Sequence, residues 1–413
     1  MKCRVANDEL VELFSLGNLF ISDFVQQQQP PDEYKSELKL MFSKTSKLVQ
    51  LEQAADPDKM YGRYWYRSGT NQTMRNQLKN VVDSCVSVHK PTEQPLWLDI
   101  ACNDGTLLSF VPDTYEKIGI DPANESYTKE SKKFADEIVQ DYFTKESFDK
   151  STFKGRKCDV VTCIAMFYDL PDPVSFLNDV YEVLKDDGMF VIQMSYTPLM
   201  IQQMAFDNIC HEHLMYYTLH SLSYVLEQTE FKIVDCELND VNGGSFRVYL
   251  QKTDASVTSF ANAPYRDVAQ YRVNSLFEYE NKIGANTIEF YLNFYDKLRE
   301  LKNIVHEFVT VRKSQGDKVW VYGASTKGNT LLQYFGLDNT LIDGAAERSP
   351  YKFGLKTVGT NIPIYSEEEM RQAKPNYLLV LPWHFIDEFK KREVKYLQDG
   401  GHFIVPCPKF EVI

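Results

Sequence analysis

Hydrophobic and polar positions divide the chain into three stretches with different periods. Over residues 1–58 the apolar positions come in short runs, 10–17 (LVELFSLG) and 38–51 (LKLMFSKTSKLVQL), which predict short strands around a small core. A Gln run at 26–29 followed by Pro30 and Pro31 separates them. A unit this small is marginal on hydrophobic burial alone. From about 95 to 252, apolar runs at 95–101, 117–121, 137–143, 158–166 and 188–196 alternate with helical stretches such as 126–136 and 173–185. Strand–helix alternation predicts a parallel sheet covered on both faces. The block ends differently: a helix at 218–229 leads into strand-like runs at 231–239 and 245–252, with Asn242-Gly243-Gly244 between them, a hairpin signal. An α/β sheet that finishes in an antiparallel hairpin follows the seven-stranded, Rossmann-like class I methyltransferase plan more closely than the six-stranded dinucleotide plan. Residues 264–313 have helical period, and from 317 the alternation resumes in a second, smaller α/β unit. Its runs lie at 317–325, 340–347, 376–385 and 402–409, its helices near 328–335 and 386–397, and a capping box, Ser366-x-x-Glu369, opens a third helix. The predicted organisation is therefore 1–58, 59–255 and 256–413.

Composition narrows the function. With 413 residues, 43% hydrophobic and 25% charged, the chain buries a sizeable core and has room for two or three domains. A net charge of −13 argues against an extended surface for nucleic acid or anionic membrane, though one small basic pocket remains compatible with it. The eight cysteines are scattered without a C-x-x-C pair, which predicts reduced thiols rather than a disulfide framework. No signal pattern opens the chain, and no apolar run reaches the ~20 residues of a membrane helix. The expectation is a cytoplasmic protein, without membrane or nucleic-acid partner, as a monomer or homodimer.

Four segments carry candidate chemistry. The turn after the first strand of the middle block holds Asp99, Ala101, Asn103, Asp104 and Gly105, and Asp121 ends the next strand. Acidic strand ends beside a tight turn and a helix start suit a nucleoside ligand, because the carboxylate accepts ribose hydroxyls. G-x-G-x-x-G is absent, which weakens NAD; Asp99 with Asp121 suits a cationic nucleoside, S-adenosylmethionine, with Asp141 and Tyr142 near its adenine. The alternative is a set of ordinary strand-end turns. The second segment, Cys210-His211-Glu212-His213 followed by Tyr216 and Tyr217, is dense in titratable groups. It lacks further ligands at metal spacing, so acid–base work fits it better than metal binding. The third, Gly323-Ala324-Ser325-Thr326-Lys327-Gly328-Asn329-Thr330, narrowly misses a P-loop, since Asn329 stands where the phosphate lysine belongs. A pyrophosphate cradle with Lys327 adding charge, or a plain structural turn, both remain open. Arg348 and His384 follow later strands of that unit. The fourth, the aromatic run 61–69 with Tyr64 and Tyr66, could pack between domains or wall a sugar site.

Taken together, LDIACNDGTLL, AMFYDLPDPVSFLNDV, HEHLMYYTLHSL, GASTKGNTLLQYF, AAERSPYKFG and VLPWHF make the whole chain resemble the nucleotide-sugar C-methyltransferases, which act on nucleotide-linked 4-keto-deoxyhexoses. That family joins a small zinc-binding N-terminal domain, a central S-adenosylmethionine domain and a C-terminal α/β domain. The resemblance implies a base that removes a proton beside a ketone, and an enolate carbon that takes the methyl group. It makes His213 the base, Glu212 its orienter, Tyr66 and His211 donors to the oxyanion, and Tyr64, Tyr216 and Asn242 substrate contacts. Ser325, Lys327, Arg348 and His384 then lie on the nucleotide diphosphate side. Three departures stand out. The family's four zinc cysteines fall here on Cys3, Ala6, Ser43 and Ser46, so three ligands are lost and zinc is not expected. Cys210 replaces a tyrosine found in some members, and Asn242 replaces a histidine. An O- or N-methyltransferase, or a scaffold with a degenerate enzyme fold, are the alternatives.

Overall fold

The computed structural model describes residues 1–29, 34–55, 60, 65–89, 93–256 and 263–413. The N-terminal unit contributes β1 (Val11–Phe20), β2 (Phe24–Gln26), β3 (Lys35–Phe42) and β4 (Val49–Leu51). The middle unit contributes β5 (Leu96–Ile100), β6 (Glu116–Ile120), β7 (Glu137–Val139), β8 (Cys158–Ile164), β9 (Leu184–Ser195), β10 (Met215–Tyr216), β11 (Phe231–Asn239) and β12 (Ser245–Lys252). The last unit contributes β13 (Val319–Tyr322), β14 (Gly344–Glu347), β15 (Leu355–Thr357), β16 (Ile364–Ser366), β17 (Tyr377–Val380), β18 (His402–Val405) and β19 (Glu411–Val412).

The middle unit is the expected α/β sheet of seven strands in the order β11-β12-β9-β8-β5-β6-β7. β5 to β9 run parallel, and β12 lies antiparallel between β9 and β11. All five residues of β5 are buried, as a strand covered on both faces requires. Strand order reverses at β5, which pairs with β6 on one side and β8 on the other, so the crevice beyond its carboxyl end is a topological switch point. The last unit repeats this logic on a smaller scale. Its six strands run β16-β14-β13-β17-β18-β19, parallel except for β19, and the order reverses at β13.

Three predicted helices differ from expectation; one of them, 386–397, breaks at Glu393 into Ile386–Arg392 and Val394–Gln398. The stretch 126–136 forms only Glu125–Ser131, opened by Asn124, whose side chain accepts from the Ser126 N–H; the chain then turns into β7. The periodic region 264–313 is two helices, Ala263–Ile283 and Ile288–Ser314, parted at Gly284, where φ is +71° and helix cannot continue. The first packs on the sheet edge, where the Arg272 guanidinium pairs with the buried Asp235 of β11. Its fully buried Glu280 accepts from the Tyr196 hydroxyl at 2.7 Å and pairs with His220.

The N-terminal unit clamps both α/β units. Its sheet, β1-β3-β4, continues into β10 of the middle unit, and β2 pairs with β15 of the last. At the lost zinc positions a hydrogen-bond cluster stands instead. Ser43 Oγ donates to the Asp8 carboxylate at 2.8 Å, the Ser46 N–H donates to Ser43 Oγ at 3.0 Å, and Cys3 Sγ lies 3.5 Å from Ser46 Oγ. One thiol and two hydroxyls do not fit a structural zinc ion, because hydroxyls are poor zinc ligands. Among the described residues no helix is long and apolar enough to cross a membrane.

Candidate active site

The turn after β5 is held in an unusual backbone. Ala101 (φ +58°), Asn103 (+52°) and Gly105 (+77°) are all left-handed, and the first two accept a strain that an ordinary αβ turn avoids. Carboxylates fix the turn. Asp121, at the end of β6, accepts from the Asn103 N–H at 2.7 Å and from the Ala123 N–H at 2.7 Å. Asp104 accepts from the Gly69 N–H at 2.8 Å, while Asn103 accepts from the Ser68 N–H and donates to the Tyr66 carbonyl. The segment that carries Tyr66 is thereby laid along the turn, with its ring half exposed. Asp99 is buried against Thr162, whose hydroxyl donates to it at 2.7 Å. Burial first, and the nearby Asp121 charge after it, push the Asp99 carboxyl up to about 7 against the hydrogen bond from Thr162. Burial also raises Asp121.

This edge fits a cationic nucleoside. Two buried carboxylates whose ionised forms are disfavoured would each be relieved by a positive charge. A cavity just beyond is lined by Ala165, Tyr168, Gln193, Ser195, Asn242 and Ser245, and Ser195 Oγ is buried in it without a hydrogen-bond partner. The outer residues of the prediction are arranged differently. The Asp141 carboxylate is engaged by Lys150, which holds it below its usual range, and Tyr142 is 59% exposed beside it.

His213 lies against Tyr168, one of the residues that line the cavity, with the two ring centroids 4.1 Å apart. It is buried, and its Nδ1 is 2.7 Å from the Asn208 carbonyl. A carbonyl only accepts, so Nδ1 carries the proton and Nε2 presents a lone pair. Burial, with help from the Lys327 charge, pushes the imidazole well below its usual range, so it is neutral at neutral pH. Cys210 Sγ, a Glu212 oxygen and a His213 nitrogen lie within 4.8 Å of one another, a third donor that the sequence spacing does not reveal. Burial raises both the Cys210 thiol and the Glu212 carboxyl, and Lys327 opposes both. A protonated thiol beside an ammonium makes this a poor metal site and a good acid–base group. Asp169, after β8, joins it: burial first and Glu212 second push its carboxyl well up, and its Oδ1 has no partner. The Tyr216 hydroxyl is likewise buried, near the Cys210 backbone, without a partner of good geometry among the described residues.

The other predicted residues divide. Asn242 (φ +52°) turns the hairpin, and its carbonyl accepts from Asn208 Nδ2 at 3.0 Å, which joins it to the His213 group. His384 is half-buried, and desolvation pushes it down to about 3, with Lys327 adding to the shift. His211 is not brought to the group. Its Nε2 donates to the Ser36 carbonyl of β3 at 3.0 Å, which leaves no N–H for an oxyanion. Ser325 caps the helix Thr326–Phe335 by accepting from the Gly328 N–H, and Arg348 is largely exposed, 3.8 Å from Glu388. Tyr64 lies outside the described residues. Sequence reasoning missed Asn208, Asp207 and Tyr168. The first two sit in a short 3-10 turn, Phe206–Asn208, that no periodicity marks, and Tyr168 follows β8 in Phe167–Asp169.

Comparison with known proteins bears on this geometry. Residues 71–235 match the family described as methyltransferase domain, and residues 240–408 the family described as C-methyltransferase C-terminal domain. The chain is 26% identical over 424 residues to the C-methyltransferase NovU of Streptomyces niveus, covering 100% of this chain and 96% of that protein. Among solved structures it is similar over 43% of its length to an S-adenosylmethionine-dependent methyltransferase of Clostridium acetobutylicum (12% identity, 92% of that chain, TM-score 0.34). Over 48% it is similar to one of Leishmania major (11% identity, 85% of that chain, TM-score 0.36). Two adjoining family segments and a relative aligned from end to end show that the protein is an S-adenosylmethionine-dependent methyltransferase, similar over its whole length to a C-methyltransferase.

Proposed function

We propose that the protein methylates the carbon beside the ketone of a nucleotide-linked 4-keto-deoxyhexose, with His213 as the base. The observation that carries this reading is the His213 tautomer: Nδ1 is committed to the Asn208 carbonyl, which makes Nε2 the lone-pair nitrogen, in a group with Cys210 and Glu212. Asp99 and Asp121 bind the amino-acid and ribose parts of S-adenosylmethionine, with Ala101, Asn103, Asp104 and Gly105 shaping the turn around it and Tyr142 on the adenine side. Bound there, S-adenosylmethionine supplies the electrophilic methyl group. A C–H next to a ketone is too weakly acidic for a base alone, so a donor aimed at the oxygen is required. Tyr216, with its hydroxyl buried and without a partner of good geometry among the described residues, is that donor, with Tyr66, on the segment laid along the cofactor turn, as a second. Glu212 balances the imidazolium that forms on His213. Asn242 borders the acceptor sugar, while Ser325, Arg348 and His384 flank the nucleotide from the last unit.

Mass spectrometry of dTDP-, GDP- and UDP-linked 4-keto-deoxyhexoses incubated with S-adenosylmethionine tests the substrate class: one of them gains a methylene unit. His213→Ala keeps S-adenosylmethionine binding and loses about 10²–10⁴-fold in methyl transfer. Full turnover in that variant would remove His213 as the base.

A further inference from the structure

Lys327 has a destination that its sequence motif does not announce. In the turn Gly323–Thr330 it stands where a phosphate contact is expected, yet its Nζ donates to Asn208 Oδ1 at 2.7 Å, across the junction between the last unit and the middle one. Asn208 is 1% exposed, and its polar atoms are bonded on every side. Its Nδ2 donates to the Ala205 and Asn242 carbonyls, each at 3.0 Å, and its main-chain carbonyl accepts from His213 Nδ1 at 2.7 Å. An ammonium can only donate, so the amide orientation is determined: oxygen toward Lys327, nitrogen toward the hairpin. Without Lys327 a buried amide oxygen loses its partner, which costs free energy and frees the Asn208 side chain to move.

We propose that Lys327 is a positioning residue for the base: through Asn208, the C-terminal unit sets the orientation and the tautomer of His213. The inference rests on the reading of His213 as base, but not on the identity of the sugar.

Three features support it. The chain Lys327–Asn208–His213 is continuous, with each link at hydrogen-bond distance. The same Asn208 amide ties down Asn242 of the hairpin that borders the cavity, so one side chain fixes both the base and an edge of the acceptor site. The Lys327 charge also acts on the titratable groups around the base. It disfavours protonation of His213 and His384, and favours ionisation of Glu212, Asp169, Asp207 and Cys210. Of these, Cys210 and Glu212 lie within 4.8 Å of His213, the Tyr168 ring packs on its imidazole from the turn after β8, and the Tyr216 phenol of β10 is influenced by Cys210 and Asp169. A like charge nearby lowers an imidazole's proton affinity, so removing Lys327 must raise it.

Imidazole NMR titration of His213, assigned by comparison with His213→Gln, tests the proposal in wild type, Lys327→Gln and Lys327→Met, alongside Lys327→Arg. Lys327→Gln keeps a donor to Asn208 without the charge, whereas Lys327→Met removes both. The expected result is a His213 titration moved to higher pH in Gln and Met, restored by Arg, with the Nδ1–H tautomer lost only in Met. On the keto sugar, the acid limb of kcat moves up in pH in the same variants, and kcat falls about 10–100-fold while KM for the nucleotide sugar stays within about threefold. An unmoved His213 titration in Lys327→Gln overturns the proposal. So does a large rise in KM at constant kcat, which would return Lys327 to the diphosphate. Unchanged S-adenosylmethionine binding shows that each variant is folded. If the wild type methylates no keto sugar in the panel, the substrate reading fails while the titration still decides the role of Lys327.

Discussion

The protein contains the same local plan twice: a buried strand at a topological switch point, a tight turn, then a helix or helical turn. The turn after β5 and the turn after β13 differ in what fills them. In the first, non-glycine residues at 101 and 103 adopt left-handed backbone, and the carboxylates of Asp99, Asp104 and Asp121 converge on it. In the second, only Gly323 is left-handed, and protein occupies the space its glycines leave. A Cβ on Gly323 would meet Pro382 at 2.6 Å, and one on Gly328 would meet Leu381 at 2.6 Å. Their spacing, which imitates a phosphate loop, is explained by β17 and the chain beyond it passing close to the helix start. The residue that should charge that loop, Lys327, leaves it for Asn208. Glycine spacing alone therefore does not identify a ligand turn; left-handed non-glycine residues with converging polar groups are what set the first turn apart.

The largest effect separating the two turns should come from Asp121→Ala. It removes the acceptor of two turn N–H groups and the proposed ribose contact. At about 1.5–3 kcal/mol per charge-assisted hydrogen bond, S-adenosylmethionine should bind on the order of 100-fold more weakly. Ser325→Ala, which loses a helix cap and a residue proposed to flank the nucleotide but nothing at the first turn, should leave that affinity within about twofold. Isothermal titration calorimetry compares them, and equal losses would show that the two turns are not functionally distinct.

A second effect depends on pH and should appear at the first turn only. With Asp99 pushed up to about 7, the free protein holds a proton there in mildly acidic solution, and a bound cation favours the ionised form. Binding of S-adenosylmethionine should therefore release a proton below about pH 7, and affinity should fall up to tenfold per pH unit on further acidification. For stability the sign is opposite to that of a salt-bridged carboxylate. The folded pKa is raised, so the Asp99 contribution is most favourable near pH 4 and declines as pH rises through 7. Calorimetry in buffers of different ionisation enthalpy counts the released proton, and Asp99→Asn should abolish the release. A buffer-independent binding enthalpy in the wild type at pH 6 would place Asp99 away from the ligand.

Much of this was legible in the sequence because it depends on local pattern. Runs of buried β residues give the order of the strands, Asn242-Gly243-Gly244 gives the hairpin, and acidic residues at two adjacent strand ends mark the switch point. The H-E-H segment was legible as chemistry but not as geometry. That His211 turns to β3 while His213 turns to Asn208 and Tyr168 depends on β10 pairing with β4, a contact between residues more than 160 positions apart. Asn208 and Asp207 were invisible because a buried polar residue in a 3-10 turn has no periodic signature. The Lys327 side chain could be placed on its helix but not aimed, since its partner lies on another unit. The lost zinc ligands were plain, but not their replacement: Asp8 falls outside the four expected positions and caps Ser43 only in the folded chain.

The smallest effects test the comparison at its root, because they should have opposite signs. Gly328→Ala places a Cβ 2.6 Å from Leu381 Cδ1 and 2.8 Å from Ser325 Oγ. Both neighbours are in close packing, so overpacking should destabilise the protein by about 1–3 kcal/mol and leave S-adenosylmethionine affinity unchanged. Ala101→Gly acts at a residue whose φ of +58° costs an L-amino acid energy that glycine does not incur. Although glycine has more freedom to lose on folding, the left-handed penalty is larger, and the variant should gain about 0.5–1 kcal/mol. The same freedom lets the free turn leave its ligand-ready shape, so S-adenosylmethionine should bind about two- to fivefold more weakly despite the gain in stability. Urea unfolding paired with calorimetry reads both variants. A stabilised Ala101→Gly with weaker binding marks the first turn as a place where strain is kept for a ligand; a destabilised one would make its left-handed alanine ordinary packing, no different in kind from Gly328.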